Sequence, residues 1–508
     1  MKRKFALLIV LYLAVLCAPV IYGYVLPGDQ QVFNGLASNP IDGNSYLAKM
    51  QLGYRGEWKF NLSYSPEPSQ GAYVYLYYIL LGHISRILHI PIILMFHVAR
   101  IAGGLCLAVS LILWVKKTIQ SPAVQVAAGF LLLFGSGVGW LLLAFGMIST
   151  DMWVAEAYPF LAGMANPHFP LGVALLLWIV HLYSLPTTWK RNTLLFDLTL
   201  ALSIVLPFAV VLVGVIVVSL ETWNWFSKRK INLVKTALTM IGGGAYLLYQ
   251  FFSIQNDPVL AQWNLQNITR APAFYDFLVS FSPAMVLAGF AVWQNRKNAA
   301  FFSEHIPLLA WLVGGIVLLY FPFDLQRRFL TGYFIPVVLI GSILLEKLET
   351  SNHGKSTIFV IGIVGLSLIT NLIVLTGIFM GLKNHDPHFF LSRDEAEAIS
   401  WMDTNAADQA VVMASPALGN FIPARADLKV VYGHPFESIQ AEARLEMITQ
   451  FYSGNLSGIE AKSWLQEMNV HYVVFGSREM ETGTNPDLSI LNPARQFGEV
   501  QIFTVDDE

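Results

Sequence analysis

Up to about residue 380 the chain alternates long apolar runs with short basic interruptions; beyond it the pattern changes character. Runs of ~17–25 apolar residues are long enough to cross ~30 Å of hydrocarbon. The first such run is Phe5 to Val25, and the next unambiguous one is Ile92 to Val115. Further spans are predicted at about 122–147, 169–186, 236–254, 278–294, 305–323, 332–347 and 356–380. The stretch from Asn192 to Trp225 is long enough for two short helices meeting near Pro207, where a proline breaks the helix. Together these make about eleven spans. One segment resists the scheme. Ala72 to Leu88 is apolar enough to span, but its Tyr73, Tyr75, Tyr77 and Tyr78 suit the headgroup layer, which favours a helix lying at the outer interface.

The segment Asp386 to Glu508 is charged and has no spanning run. Its periodicity predicts an α/β domain with a helix near 393–405, strands at 410–414 and 429–432, helices near 439–452 and 458–468, and strands at 471–475 and 500–504. The expected organisation is a membrane domain over 1–380, with a long first outer loop at 26–91, followed by a domain over 381–508.

Composition agrees with this class. Of 508 residues, 55% are hydrophobic and 13% charged, and the mean hydropathy is +0.55. A soluble globule carries about 25% charged residues. The reading is a polytopic α-helical membrane protein with a small C-terminal α/β extracytoplasmic domain. A net charge of −2 gives no reason to expect a nucleic-acid partner. The only cysteines, Cys17 and Cys106, fall inside apolar spans and supply neither a disulfide framework nor a zinc site.

Basic clusters mark the cytoplasmic side. They fall at Lys2-Arg3-Lys4, Lys116-Lys117, Lys190-Arg191, Lys228-Arg229-Lys230, Arg296-Lys297, and Lys347 with Lys355. Placing all of them inside gives one consistent thread, with the N-terminus in the cytoplasm and the C-terminal domain outside. The first apolar run exceeds a signal-peptide core of ~7–15 residues, so it reads as a retained helix of an inner-membrane protein.

With that thread, the uncommon polar residues gather at four outward-facing sites. They are the loop holding Asp42, Lys49, Arg55, Glu57 and Glu67; the stretch Asp151 to Pro170 with Glu156, Tyr158, Asn166 and His168; Asn256 to Arg270; and Asp324 to Phe329 with Gln326, Arg327 and Arg328. Each has a plainer reading. Asp42 serves equally as a solvated loop carboxylate or as the N-cap of a helix over 45–51. Glu156 could be a solvated loop acid, His168 a helix-start residue, and Arg327-Arg328 interfacial anchors that snorkel. Tyr432-Gly433-His434-Pro435-Phe436-Glu437 is either a turn or a loop aimed at the membrane site. Asn61, Asn267 and Asn455 match the glycosylation sequon by chance.

In order along the chain stand a basic start, one span, an outside loop with an early Asp before Ser45-Tyr-Leu-x-x-Met50, a Pro-rich stretch at Ser65-Pro66-Glu67-Pro68, many spans and an outside C-terminal domain. This order resembles the GT-C superfamily of integral-membrane glycosyltransferases, in the bacterial branch related to protein mannosyltransferases and aminoarabinose transferases. The resemblance implies transfer of a sugar from a polyprenyl-phosphate donor to an unknown acceptor outside the cytoplasm, in contact with membrane lipids. It implies Asp42 as general base, with Glu156 orienting the acceptor or sharing that role. Arg327 and Arg328, completed by Gln326 and His168, are then the donor-phosphate clamp. Tyr64, Glu67, Tyr158, Asn166 and His434 would contact substrate, with exposed aromatics such as Tyr64, Trp58, Trp153 and Tyr158 stacking on sugar faces. No cofactor is required, and a divalent metal (Mg or Mn) near Asp42 and Glu156 is compatible. Competing readings are a lipid-linked substrate transporter or flippase, a polysaccharide polymerase or ligase, and a non-catalytic subunit.

Overall fold

The computed structural model describes residues 2–26, 28–351 and 353–505. Met1, Pro27, Asn352 and residues 506–508 lie outside them, as do the side chains of Lys228 and Lys355, two basic residues used for the topology. The chain divides into two compact units. One comprises Met1–Pro19, His97–Leu248 and Ile268–Phe379; the other comprises Val20–Phe96, Tyr249–Asn267 and Met380–Glu508.

The chain is a polytopic α-helical membrane protein, and each expected span is helical. Among the described residues, however, seven helices are long and apolar enough to cross a bilayer, and nine if each of two bent pairs counts as one span. The expected eleven therefore needs correction at two places. His168–Tyr183 has 16 residues and Trp189–Val205 has 17, ~24–26 Å of helix, and the second carries Lys190, Arg191 and Asp197. The break between Trp189–Val205 and Pro207–Lys228 falls at Leu206, where the proline starts the next helix. The bent pairs are Pro122–Phe134 with Gly139–Phe145, at 44°, and Phe274–Phe281 with Ala284–Gln294, at 87°.

The first unit is held by one large apolar core that includes Trp311, Tyr333, Phe277, Phe281 and Tyr158. Its buried hydroxyls are spent locally. Tyr158 donates to the Ser280 carbonyl at 2.7 Å and Tyr333 to the Leu312 carbonyl at 3.0 Å. Arg100, buried in the helix Ile92–Thr118, is satisfied by the carbonyls of Leu16 at 3.2 Å and Gly163 at 3.0 Å. It is a structural pin, because its charge is met by backbone dipoles.

The second unit contains a five-stranded mixed sheet, in the order Lys429–Val430, Val411–Met413, Val470–Phe475, Val500–Thr504 and Asn492–Phe497. The first three strands are parallel and the last two pair antiparallel. The two-residue side-chain period feeds two cores. Val411, Met413 and Val473 pack with Ile448, Phe451 and Leu465, while Val412 and Val474 pack with Ile399, Met402 and Phe421. Helices therefore cover both faces of the sheet. The helices Arg393–Asn405 and Gly458–Glu467 begin with capping boxes, Ser392 with Glu395 and Ser457 with Glu460. The expected elements all form. The pattern did not anticipate Pro416–Arg425, Asn492–Phe497 or the short antiparallel pair of Gln31–Phe33 with Phe390–Ser392.

The same unit packs the helix Pro40–Arg55 on Leu76–Leu88. A Cβ at Gly53 would lie 2.0 Å from the Ile79 carbonyl oxygen, and one at Gly82 would lie 2.0 Å from that of Met50. These glycines bring the two backbones together. Leu76–Leu88 has 13 residues, ~20 Å of helix, too short to cross a bilayer on its own.

Candidate functional site

In the second unit, the helix Pro40–Arg55 carries the early acid. Asn39 adopts a left-handed conformation (φ 48°) at the N-cap, and Pro40 opens the first turn. Asp42 therefore lies inside that turn and does not cap a helix over 45–51. The Asn39 amide donates to Asp42 Oδ2 at 2.7 Å. His434 Nε2 stands 3.1 Å from Asp42 Oδ1. The Phe436 N–H donates to His434 Nδ1 at 3.2 Å, so Nδ1 is the acceptor of a neutral imidazole and Nε2–H points at the carboxylate. The His434 side chain is 4% exposed and that of Asp42 is 48% exposed. A buried imidazole thus orients a carboxylate that faces solvent.

The opposite holds one turn along. Lys49, 1% exposed, donates to Glu437 at 2.6 Å and to Ser45 Oγ at 2.7 Å, and Ser45 donates to the same carboxylate. The ammonium also lies 4.5 Å from the Tyr75 ring centroid and 5.3 Å from that of Phe60, a cation–π enclosure. Burial acts to raise the Glu437 carboxyl, but the Lys49 ammonium and the hydrogen bonds from Lys49 and Ser45 outweigh it and hold it below the usual carboxylate range. Burial pulls Lys49 below an ordinary amine, against the pull of Glu437.

A chain of amides anchors this loop. Asn34 donates to Asn44 at 3.0 Å, Asn44 to Asn420 at 2.7 Å, and Asn420 to the Gly433 carbonyl at 3.0 Å. The Gly433 backbone lies so close to Gly419 that a Cβ would come within 2.4 Å of the Gly419 carbonyl oxygen. Two expected substrate contacts turn out to be scaffold. Tyr64 is fully buried with its hydroxyl on the Asn420 carbonyl at 2.9 Å, and Glu67 pairs with the buried Arg444, which also donates to Ser65 at 2.8 Å.

In the first unit, Arg328 Nη1 donates to Glu156 Oε1 at 3.4 Å, and Arg327 Nε stands 3.9 Å from the same oxygen. Glu156 is 6% exposed, whereas Arg327 and Arg328 are 21% and 25% exposed. The Arg327 guanidinium lies 4.4 Å from the centroid of the Trp153 ring, which is half exposed. The Glu156 carbonyl accepts from Gly332 N at 2.7 Å and that of Ala157 from Phe334 N at 3.2 Å, which lock the two loops together.

Gln326 does not offer its amide to a ligand. Its Oε1 accepts from Ala271 N at 3.1 Å, and its Nε2 donates to the Phe321 carbonyl at 2.9 Å. Tyr158 is fully buried against Phe281, so the expectation that it and Tyr64 are exposed aromatics is overturned: packing took both rings. Asn166 is 1% exposed, and neither atom of its side-chain amide has a hydrogen-bond partner among the described residues, an exceptional state for a buried amide. Two residues on, His168 starts the helix His168–Tyr183, and its ring lies tilted beside that of Phe169, centroids 4.0 Å apart.

No three His, Cys, Asp or Glu side chains stand close enough to hold a metal ion among the described residues. The oxygens of Asp42 already accept hydrogen bonds. Among the described residues the donor set for a divalent cation is not assembled. No local pattern along the chain signals the Lys49–Glu437 pair, Asn420 or Arg444. The i,i+4 spacing of Ser45 and Lys49 puts both on one helix face, but nothing local names their partner almost four hundred residues away.

No protein-family model matches the sequence, and no curated protein does either. Solved structures do. The aminoarabinose transferase ArnT from Cupriavidus metallidurans, bound to undecaprenyl phosphate, aligns with a TM-score of 0.55 at 10% identity, over 99% of each chain. The oligosaccharyltransferase AglB from Archaeoglobus fulgidus, in complex with Zn and sulfate, aligns with a TM-score of 0.51 at 12% identity, over 92% of this chain and 68% of that one. The arabinofuranosyltransferase AftD from Mycobacteria aligns with a TM-score of 0.52 at 12% identity, over all of this chain and 40% of that one. All are membrane glycosyltransferases, and the fold of this chain is theirs, the GT-C fold.

Proposed function

We propose that this chain is a glycosyltransferase that moves a sugar from a polyprenyl-phosphate donor to an acceptor at the outer face of the cytoplasmic membrane, with its N-terminus in the cytoplasm and its C-terminal domain outside. The observation that carries the reading is Asp42: a solvent-facing carboxylate, aimed by the buried His434 and by Asn39, in a chain with the GT-C fold. Support for the donor class comes from ArnT, which was solved with undecaprenyl phosphate bound.

The acceptor hydroxyl attacks the anomeric carbon and gives its proton to Asp42. As the new C–O bond forms, the bond from the anomeric carbon to the phosphate oxygen breaks, and its electron pair stays on the departing polyprenyl phosphate. Stabilising that growing charge calls for a bidentate cation, and the candidates in the first unit are Arg327 and Arg328, whose planar forks match phosphate oxygens. Glu156 holds both guanidiniums and is a positioning residue in this reading.

The test is incubation of the purified protein with a panel of radiolabelled polyprenyl-phosphate sugars and membrane acceptors, with Asp42→Asn alongside. Sugar transfer that disappears in the variant at normal expression supports the reading. Full retention of transfer removes Asp42 from the chemistry, and transbilayer movement of a lipid-linked substrate with no acceptor modified replaces the enzyme with a transporter.

A further inference from the structure

The helix Pro40–Arg55 has two chemically different faces. Asp42, Ser45 and Lys49 lie on one. Leu47, Gln51, Tyr54 and Arg55 lie about half a turn away at ~100° per residue, and they line a cavity of about 680 Å³ within the second unit. Nothing in the proposed reaction uses this cavity.

Its walls differ. One is apolar and comes from the ends of two helices long enough to span a membrane: Tyr24, near the end of Lys2–Val25, and Ile92 and Ile93, at the start of Ile92–Thr118. The C-terminal segment contributes Ala396, Ile399 and Ala424 together with the polar Ser400, Asp403 and Arg425. The charges there do not cancel. Arg55 and Asp403 pair at 2.6 Å. Arg425 is partly buried, its Nε is closed off from solvent without a hydrogen-bond partner, and among the described residues no carboxylate pairs with it. His89 is the remaining titratable group on the lining beside Tyr24 and Tyr54. A half-buried guanidinium without an anion is unfavourable, and its planar fork suits phosphate oxygens. A cation in one cavity with a tyrosine and with the ends of membrane-length helices is the arrangement of a headgroup site.

We propose that this cavity binds the phosphate headgroup of an anionic membrane lipid, with Arg425 on the phosphate and the glycerol and first methylenes against Tyr24, Ile92 and Ile93. The site lies on the face of the helix Pro40–Arg55 turned away from Asp42, so a bound lipid would brace that helix without entering the reaction. The inference stands independently of the proposed glycosyl transfer.

The experiment titrates full-length protein in detergent with phosphatidylglycerol, phosphatidylcholine or inorganic phosphate, reading retained lipid by native mass spectrometry and the melting temperature in parallel. Phosphatidylglycerol should remain bound at one equivalent and raise the melting temperature, while phosphatidylcholine and inorganic phosphate at equal concentration should do neither. Arg425→Gln should weaken phosphatidylglycerol retention by about tenfold or more. Ser400→Trp, which fills the cavity and leaves the Arg55–Asp403 pair in place, should abolish it. Should Arg425→Gln fail to fold, Ser400→Trp decides alone. Equal retention of the two lipids, or unchanged retention in a folded variant, overturns the proposal. Inorganic phosphate that displaces the lipid at equal concentration also overturns it, because the site then takes a soluble anion.

Discussion

The two units dispose their charges in opposite ways. In the second, the buried member of the Asp42–His434 pair is the imidazole, and the exposed one is the carboxylate. In the first, the buried member is the Glu156 carboxylate, and the partly exposed ones are the guanidiniums of Arg327 and Arg328. A buried charge is fixed because exposing or unpairing it is costly; its exposed partner keeps its geometry while remaining open to a ligand. One unit thus presents an oriented carboxylate and the other presents oriented guanidiniums. Lys49–Glu437 shows the limiting case. Both partners are enclosed, so the pair holds the helix Pro40–Arg55 to the 434–437 loop and offers nothing outward.

This contrast can be broken by mutation. The largest effect is expected from Asp42→Asn. Loss of a general base lowers turnover by about 10²–10⁴-fold, with donor binding and melting temperature unchanged; a fall in melting temperature of comparable weight would recast Asp42 as scaffold. Glu437→Gln should act on stability instead. Breaking a buried pair while leaving its cation costs about 3–5 kcal/mol, read as a lower midpoint in thermal or denaturant unfolding.

Arg327→Gln and Arg328→Gln should each lower turnover by about 10²–10³-fold at saturating donor with little change in stability. An effect on KM alone would mean that the guanidiniums hold the donor equally in ground and transition states. A smaller effect is expected with pH. The Glu437 carboxyl titrates below its unfolded value, so its contribution is fully present above the ordinary carboxylate pKa of about 4.3 and is lost as the pH falls through the lower folded value. The melting-temperature gap between wild type and Glu437→Gln should stay constant from neutral pH to about 5 and close only below that. The smallest is His434→Gln. A flexible amide without the Nδ1 anchor to Phe436 orients Asp42 poorly, and turnover should fall by about tenfold, with a pH–rate profile of unchanged shape, since His434 holds the base and moves no proton.

Much of the fold was legible along the chain. The apolar runs gave every helical span, because length and apolarity decide membrane crossing locally. The Pro207 break and the elements of the C-terminal α/β segment followed from ring geometry and period-2 alternation in the same local way. Two spans were over-read because hydropathy does not report where caps end a helix: Pro167 and Ser184 bound one to 16 residues. The site was legible only in part. Asp42, Glu156, His434 and the arginines could be named as uncommon polar residues, but Tyr64, Tyr158, Glu67 and Gln326 look alike in sequence whether they face a ligand or the scaffold.

The sequence by itself determined that this chain crosses a membrane many times and ends in an α/β segment, since both follow from side-chain period over tens of residues. Only the tertiary structure decided which charges are buried and which face outward. Those outcomes depend on partners such as Asp42 with His434 or Glu67 with Arg444, separated by 392 and 377 positions. The local pattern has no term for a contact at that distance. Burial of a charge is a property of the packed neighbours on every side, and the chain acquires them only when it folds.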